Sequence, residues 1–244
     1  MLLMRDGTDG APVRPPLLQR RLNVARKPVV IVLHQQHSTP GHIGRWLLAN
    51  GHDLDIRRPR FGDSLPATLE QHDGAVIFGG PMSANDADDY IRVETEWIGV
   101  ALKERKPFLG VCLGGQMLAR HLGAAVEHHP EKHVEIGYKP VAATEEGQAI
   151  CAWPERFYQW HREGFDVPYE AMALATSPGA FQNQAFLVGP AAVGVQFHPE
   201  ITFAQVHRWT GHNLDRLSEP GADPREVHIA QHYLHAPGVQ RWLD

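Results

Sequence analysis

At 244 residues, with 23 Lys and Arg against 28 Asp and Glu, the chain has a net charge of −5. That leaves room for one α/β domain with a sizeable core and no basic face for a phosphate backbone. Its apolar runs fall far short of the roughly 20 residues of a membrane span, so neither nucleic acid nor a membrane is expected as a partner. Two cysteines, Cys112 and Cys151, are too few for a disulfide framework and suit a reducing, cytoplasmic setting in which a lone thiol stays reactive.

Residues 1–27 carry six Lys and Arg, the adjacent prolines Pro15 and Pro16 and no apolar stretch of the secretory type. They read as a flexible extension ahead of a domain at 28–244, with Asp6 and Asp9 counting against an organellar transit signal. From Pro28 the pattern alternates. PVVIVL (28–33), DLDIRR (53–58), GAVIFGG (74–80) and PFLGV (107–111) are strand-like, and HIGRWLLANG (42–51) and DYIRVETEWIGVALKERK (89–106) have helical spacing. GAVIF and PFLGV are apolar at nearly every position, as expected of parallel strands covered on both faces. After Ala124 strand candidates follow one another through EIGYKPVAAT, EAMALATS, NQAFLVG and AVGVQF, which predicts an antiparallel or mixed extension of the same sheet. The tail holds two helical pieces, TFAQVHRWT and REVHIAQHYL.

PFLGVCLGGQMLARHLGA (107–124) is a strand, a tight turn and a helix with Cys112 at the turn. Such a turn lifts a side chain out at the carboxyl ends of the strands, where open α/β folds bind ligands. The helix behind it favours a thiolate and offers the Leu113 N–H to an oxyanion. On this stretch alone two readings stand, a nucleophile or a small buried hydrophobe at a strand end. GVQFHPE (194–200) favours the first, because it sets His198 and Glu200 two residues apart at a strand end, on one side, with Pro199 between. The chain has 16 histidines, most of which must be surface or packing residues, so His198 carries weight only in this context.

G-V-C-L-G-G-Q (110–116) and VQFHPE resemble, in order and spacing, the nucleophile and histidine–glutamate elements of the class I glutamine amidotransferases. GGPMS (79–83) is similar to the family's glycine turn at the oxyanion hole. EIGY (135–138), FYQWH (157–161) and NQAF (183–186) look most like the stand-alone branch related to the amidotransferase half of GMP synthase. The resemblance implies a flavodoxin-like α/β fold, a central mostly parallel sheet with helices on both faces. It also implies a Cys112, His198, Glu200 triad that forms a γ-glutamyl thioester from glutamine and releases ammonia and glutamate. By the same resemblance, Gly80 and Leu113 supply oxyanion N–H groups, and Gln116 and His161 hold the amino-acid end of the substrate. EIGY has Tyr138 where close relatives often carry tryptophan. The acceptor of the ammonia would be a synthetase on another chain, and the substrate a small molecule. Two other functions are carried alongside, a γ-glutamyl peptide hydrolase with the same triad and a non-catalytic subunit that keeps the fold. If a larger leaving group is accommodated, the connections at 81–90 and 128–137 are the expected walls of the opening.

HLGAAVEHHPEKH (121–133) gathers four histidines and two glutamates, but at spacings of no familiar ligand set, so no metal is expected. There is no G-x-x-x-x-G-K-[ST] and no G-x-G-x-x-G, hence no expected nucleotide cofactor. Cys151 lacks a glycine turn or a neighbouring base and reads as packing, and NDADDY (85–90) reads as a solvated helix start.

Overall fold

A computed structural model of the chain describes residues 26–244. The expected N-terminal extension therefore lies, except for its last two residues, outside the described residues. In chain order the elements begin with β1 (Val29–Val32), α1 (Gly41–Ala49), β2 (Leu54–Arg57), β3 (Gly74–Ile77), α2 (Asp89–Lys103), β4 (Phe108–Val111) and α3 (Leu113–His121). The second half comprises β5 (Val126–His128), β6 (Glu135–Pro140), β7 (Ala142–Ala143), α4 (Glu145–Ile150), β8 (Arg156–His161) and β9 (Glu163–Phe165). It ends with β10 (Met172–Thr176), β11 (Asn183–Val188), β12 (Ala192–Val195), α5 (Phe203–His212) and α6 (Arg225–Leu243).

One eight-stranded sheet has the order β2-β1-β3-β4-β12-β11-β10-β7. The strands from β2 to β12 run parallel, and β11, β10 and β7 continue antiparallel. β1 and β3 are buried at every position because helices cover both faces, and the period of two sorts their side chains between two cores. Val30, Val32, Ile77 and Phe108 pack with Trp97 and Ile98 of α2 and Met117 of α3. Val29, Ile31, Val76 and Val111 pack on the other face with Ile43 and Leu47 of α1 and Val239 of α6. The chain leaves β1 toward β2 on one side and returns to β3 on the other. In open α/β sheets that reversal opens a crevice at the carboxyl ends of the strands.

Two expectations are corrected. EIGYKP does not join the main sheet: β6 pairs with β8 as a separate antiparallel ribbon, Tyr138 opposite Tyr158. Both tyrosines are fully buried with Ile201 and Val206, and their hydroxyls bond to His232 and His228 of α6, so the ribbon finds its apolar partner in the C-terminal helices. Likewise β5 and β9 form a second ribbon of their own. The last helix also runs further than REVHIAQHYL, through Pro237 to Leu243, where Trp242 packs on Trp153, Phe157 and Phe197.

Candidate active site

Four segments meet at the carboxyl ends of the strands: the turns after β1, β3 and β4 and the segment after β12. Cys112 closes the turn from β4 into α3 with φ 51° and ψ −106°, a conformation that L-residues rarely adopt. It is held there by its own N–H on Val195 O at 2.8 Å and by the close packing of the helix start on the neighbouring strands. A Cβ at Gly114 would sit 2.1 Å from Ile77 O, so no side chain fits between α3 and β3. The glycines after the cysteine thus serve the contact of helix and sheet.

His198 and Glu200 lie just past β12 and not within it, and His198 N–H donates to Tyr158 O of β8 at 2.8 Å. His198 Nδ1 meets Glu200 Oε1 at 2.8 Å, both side chains being almost wholly buried. The His198 ring stands edge-on to Trp209, 4.9 Å between centroids. Its Nε2 is buried without a hydrogen-bond partner, as is Glu200 Oε2. Burial alone would lower the imidazole pKa, but the Glu200 carboxylate and the adjacent Cys112 outweigh it and raise it to about 10. Gly79 packs against both groups, since a Cβ there would lie 2.7 Å from His198 Cε1 and 3.4 Å from Cys112 Cβ. A cavity of about 140 Å³ opens over Cys112 and His198 and is lined in part by Gly80, Gln116 and His161.

The family model for glutamine amidotransferase class-I matches residues 38–208, most of the chain and all four of these segments except the start of the first. The chain belongs to the class I glutamine amidotransferases. A glutamine amidotransferase-like protein of Salmonella typhimurium, YfeJ, is 30% identical over 201 residues, 78% of this chain and 83% of that one. The GMP synthase (glutamine-hydrolyzing) of Aeropyrum pernix is 34% identical over 149 residues, which cover 60% of this chain and 28% of that protein. A crystal structure of a glutamine amidotransferase from Methylobacillus flagellatus superposes with a TM-score of 0.82 at 28% identity, covering 89% of this chain and 91% of that one. Membership brings with it the family's general activity, hydrolysis of the glutamine side-chain amide, and the flavodoxin-like fold described above.

Within this family member, Gly80, Gln116 and His161 line the cavity and Leu113 is buried behind it. Gln116 Nε2 donates to Glu163 O at 2.8 Å and reaches Gln196 Oε1 at 3.4 Å. His161 lines the cavity, but its ring nitrogens are engaged by Glu163 O at 3.0 Å, Gln159 Oε1 at 3.1 Å and Glu135 Oε2 at 3.2 Å. It is a braced wall more than a free donor. Burial raises the Glu135 carboxyl, yet hydrogen bonding and charge from His161 and bonds from Gln184 and Phe181 bring it below its ordinary value. The sequence reading missed Gln196, whose Nε2 lies 3.9 Å from Cys112 Sγ. Its signal was present in VQFHPE, two residues before His198.

The outer wall differs from expectation. Pro81 and Met82 do line the cavity, but residues 128–137 do not. The opposite wall is built by Trp160, Arg162 and Glu163 and by Trp209, Asn213 and Arg216 at the end of α5 and just beyond it. Tyr138 is fully buried behind it and does not reach the cavity. His129, Glu131 and His133 bring ligand atoms within 4.8 Å of one another, on a turn that does not line this cavity. Cys151 caps the end of α4, half-buried and free, and Asp88 and Asp89 are exposed at the start of α2. Among the described residues no helix is long and apolar enough to cross a membrane.

Proposed function

We propose that this chain hydrolyses the side-chain amide of glutamine through Cys112, with residues 28–244 acting as one amidotransferase domain. The observation that supports this best is Cys112 held at a positive φ beside a buried His198 that is itself bound to Glu200 at 2.8 Å, with Cys112 and His198 opening on one cavity. Cys112 Sγ attacks the amide carbon, and the developing oxyanion is met by the N–H groups of Gly80 and Leu113. His198, charged at neutral pH by its raised pKa, gives its proton to the departing nitrogen, so that ammonia leaves and a γ-glutamyl thioester remains. Water, deprotonated by His198, then attacks the thioester carbon, and glutamate leaves with the Cys112 thiolate restored beside the protonated imidazole. Glu200 orients the imidazole throughout. Gln116 and the His161 wall support the amino-acid end of the substrate.

The ammonia is taken to pass to a synthetase on another chain, in the reducing cytoplasmic setting that the free thiols suit. The test is glutamate release by the native chain and by Cys112→Ala, followed by the ratio of kcat/KM for glutamine to that for γ-glutamyl dipeptides. Full activity of Cys112→Ala would end this reading. A preference of tenfold or more for the dipeptides, about 1.4 kcal/mol at the transition state, would replace glutamine hydrolysis with the peptide-hydrolase reading.

A further inference from the structure

Behind the glycine turn lies a polar pair that neither the mechanism nor the family motifs use. His34 follows β1 and Glu94 sits on the inner face of α2. Both are completely buried, and His34 Nε2 meets Glu94 Oε2 at 2.7 Å. The other ring nitrogen, Nδ1, lies 3.2 Å from Gly79 O. A carbonyl oxygen only accepts, so Nδ1 carries the proton and donates it there. That leaves Nε2 and the Glu94 carboxyl to share one further proton between them. The unit is neutral as a whole, yet it has no apolar reason to be there, since Glu94 Oε1 has no partner and hydrocarbon would fill such a site at no loss of stability.

We propose that the His34–Glu94 pair is a positioning device that sets the Gly79–Gly80 peptide so that its N–H faces the reacting carbonyl. The peptide is trans, as are all the described ones, so the Gly79 C=O and the Gly80 N–H point to opposite sides of the chain. Fastening the carbonyl to His34 turns the N–H away from β1. The same segment has Cys112 and His198 against its free side, where a Cβ on Gly79 would touch both. His34 also backs the turn sterically, its Cβ and Cγ each 3.1 Å from where a Gly80 Cβ would stand. Glu94 fixes the ring, the ring fixes the carbonyl, and the carbonyl fixes the donor. An apolar residue at position 34 fills the same volume without holding the peptide plane.

The proposal rests on the reading that Cys112 attacks a γ-carbonyl, and its test separates the two. His34→Phe should lower kcat for glutamate release by about 30-fold or more, toward the roughly 10²–10³ found when an oxyanion donor is removed outright, with KM within about threefold. Alkylation of Cys112 by iodoacetamide, which forms no oxyanion, should keep its native rate, while inactivation by a glutamine-shaped chloroketone should slow in proportion to kcat/KM. Glu94→Ala should behave like His34→Phe. Glu94→Gln, whose amide N–H can donate to Nε2 and keep the proton on Nδ1, should recover kcat to within about threefold of native. A native kcat in both His34→Phe and Glu94→Ala, with Cys112 still required, overturns the positioning role alone. Equal slowing of iodoacetamide and chloroketone in the Glu94→Ala chain also overturns it, because the damage then lies in the thiol and not in the oxyanion donor. Loss of the requirement for Cys112 overturns the reading beneath it.

Discussion

Cys112 and Cys151 are both free, but only one is placed in a strained strand-to-helix turn beside an imidazole. Cys112→Ala is therefore expected to abolish glutamate release and Cys151→Ala to leave it nearly intact, as steady-state rates on the two variants will show. His198→Ala should be almost as severe as Cys112→Ala, because in the proposed mechanism it removes the group that moves the protons. Glu200→Gln keeps a hydrogen-bonding oxygen 2.8 Å from Nδ1 and should lose the least of the three. A ranking with Glu200→Gln at the bottom would mean the roles are misassigned.

At the scale of elements, the turn geometry depends on backbone contacts that tolerate no side chain. Gly114→Ala would force a Cβ to within 2.1 Å of Ile77 O, and α3 must then shift off the sheet. A loss of roughly 2–4 kcal/mol in denaturant unfolding, with a still larger effect on turnover, is the expected outcome. α5 begins with a capping box, the Thr202 hydroxyl accepting from Gln205 N–H and the Gln205 side chain returning to Thr202 N–H. Thr202→Ala should cost about 1 kcal/mol. Since α5 carries Trp209 onto the His198 ring, Thr202→Ala should also reduce kcat, whereas an N-cap unconnected to the site would lower stability alone.

For the whole molecule, two sets of histidines pull stability in opposite directions with pH. His198 is raised in the fold, so its contribution is complete below its ordinary value of 6.5 and is lost as pH rises toward about 10. His228 and His232 are lowered, chiefly by burial, so the stability tied to their neutral forms is present above 6.5 and is lost as pH falls. His228 shows why: Nε2–H donates to Asp223 O and Nδ1 accepts from the Tyr158 hydroxyl, a pairing that a second ring proton breaks. Thermal midpoints should thus peak between about pH 6 and 7. In His198→Asn the alkaline decline should flatten, and in His228→Asn the acid decline should. An unchanged alkaline limb in His198→Asn would contradict the raised imidazole.

Much of this was legible locally. Runs such as VVIV and GAVI announce strands buried on both faces, and Cys112 with its glycines and His198 with Glu200 announce themselves because backbone sterics and a two-residue spacing are properties of a few adjacent residues. What contiguous residues cannot encode is which distant surface covers them. The apolar face of EIGYKP is satisfied by α6, nearly a hundred positions away, and so leaves the main sheet, and α6 persists through Pro237 because Trp242 has an aromatic pocket to fill. The same holds inside the site. Gln196 near the sulfur, the outer wall of Trp209 and Arg216, and the pairing of His34 with Glu94 across 60 positions arise only where separate strands end side by side. The sequence by itself determined the main elements and singled out the proposed nucleophile, through local sterics and periodicity. Tertiary structure alone decided the cavity wall and the polar support behind the oxyanion turn, because long-range burial selects them.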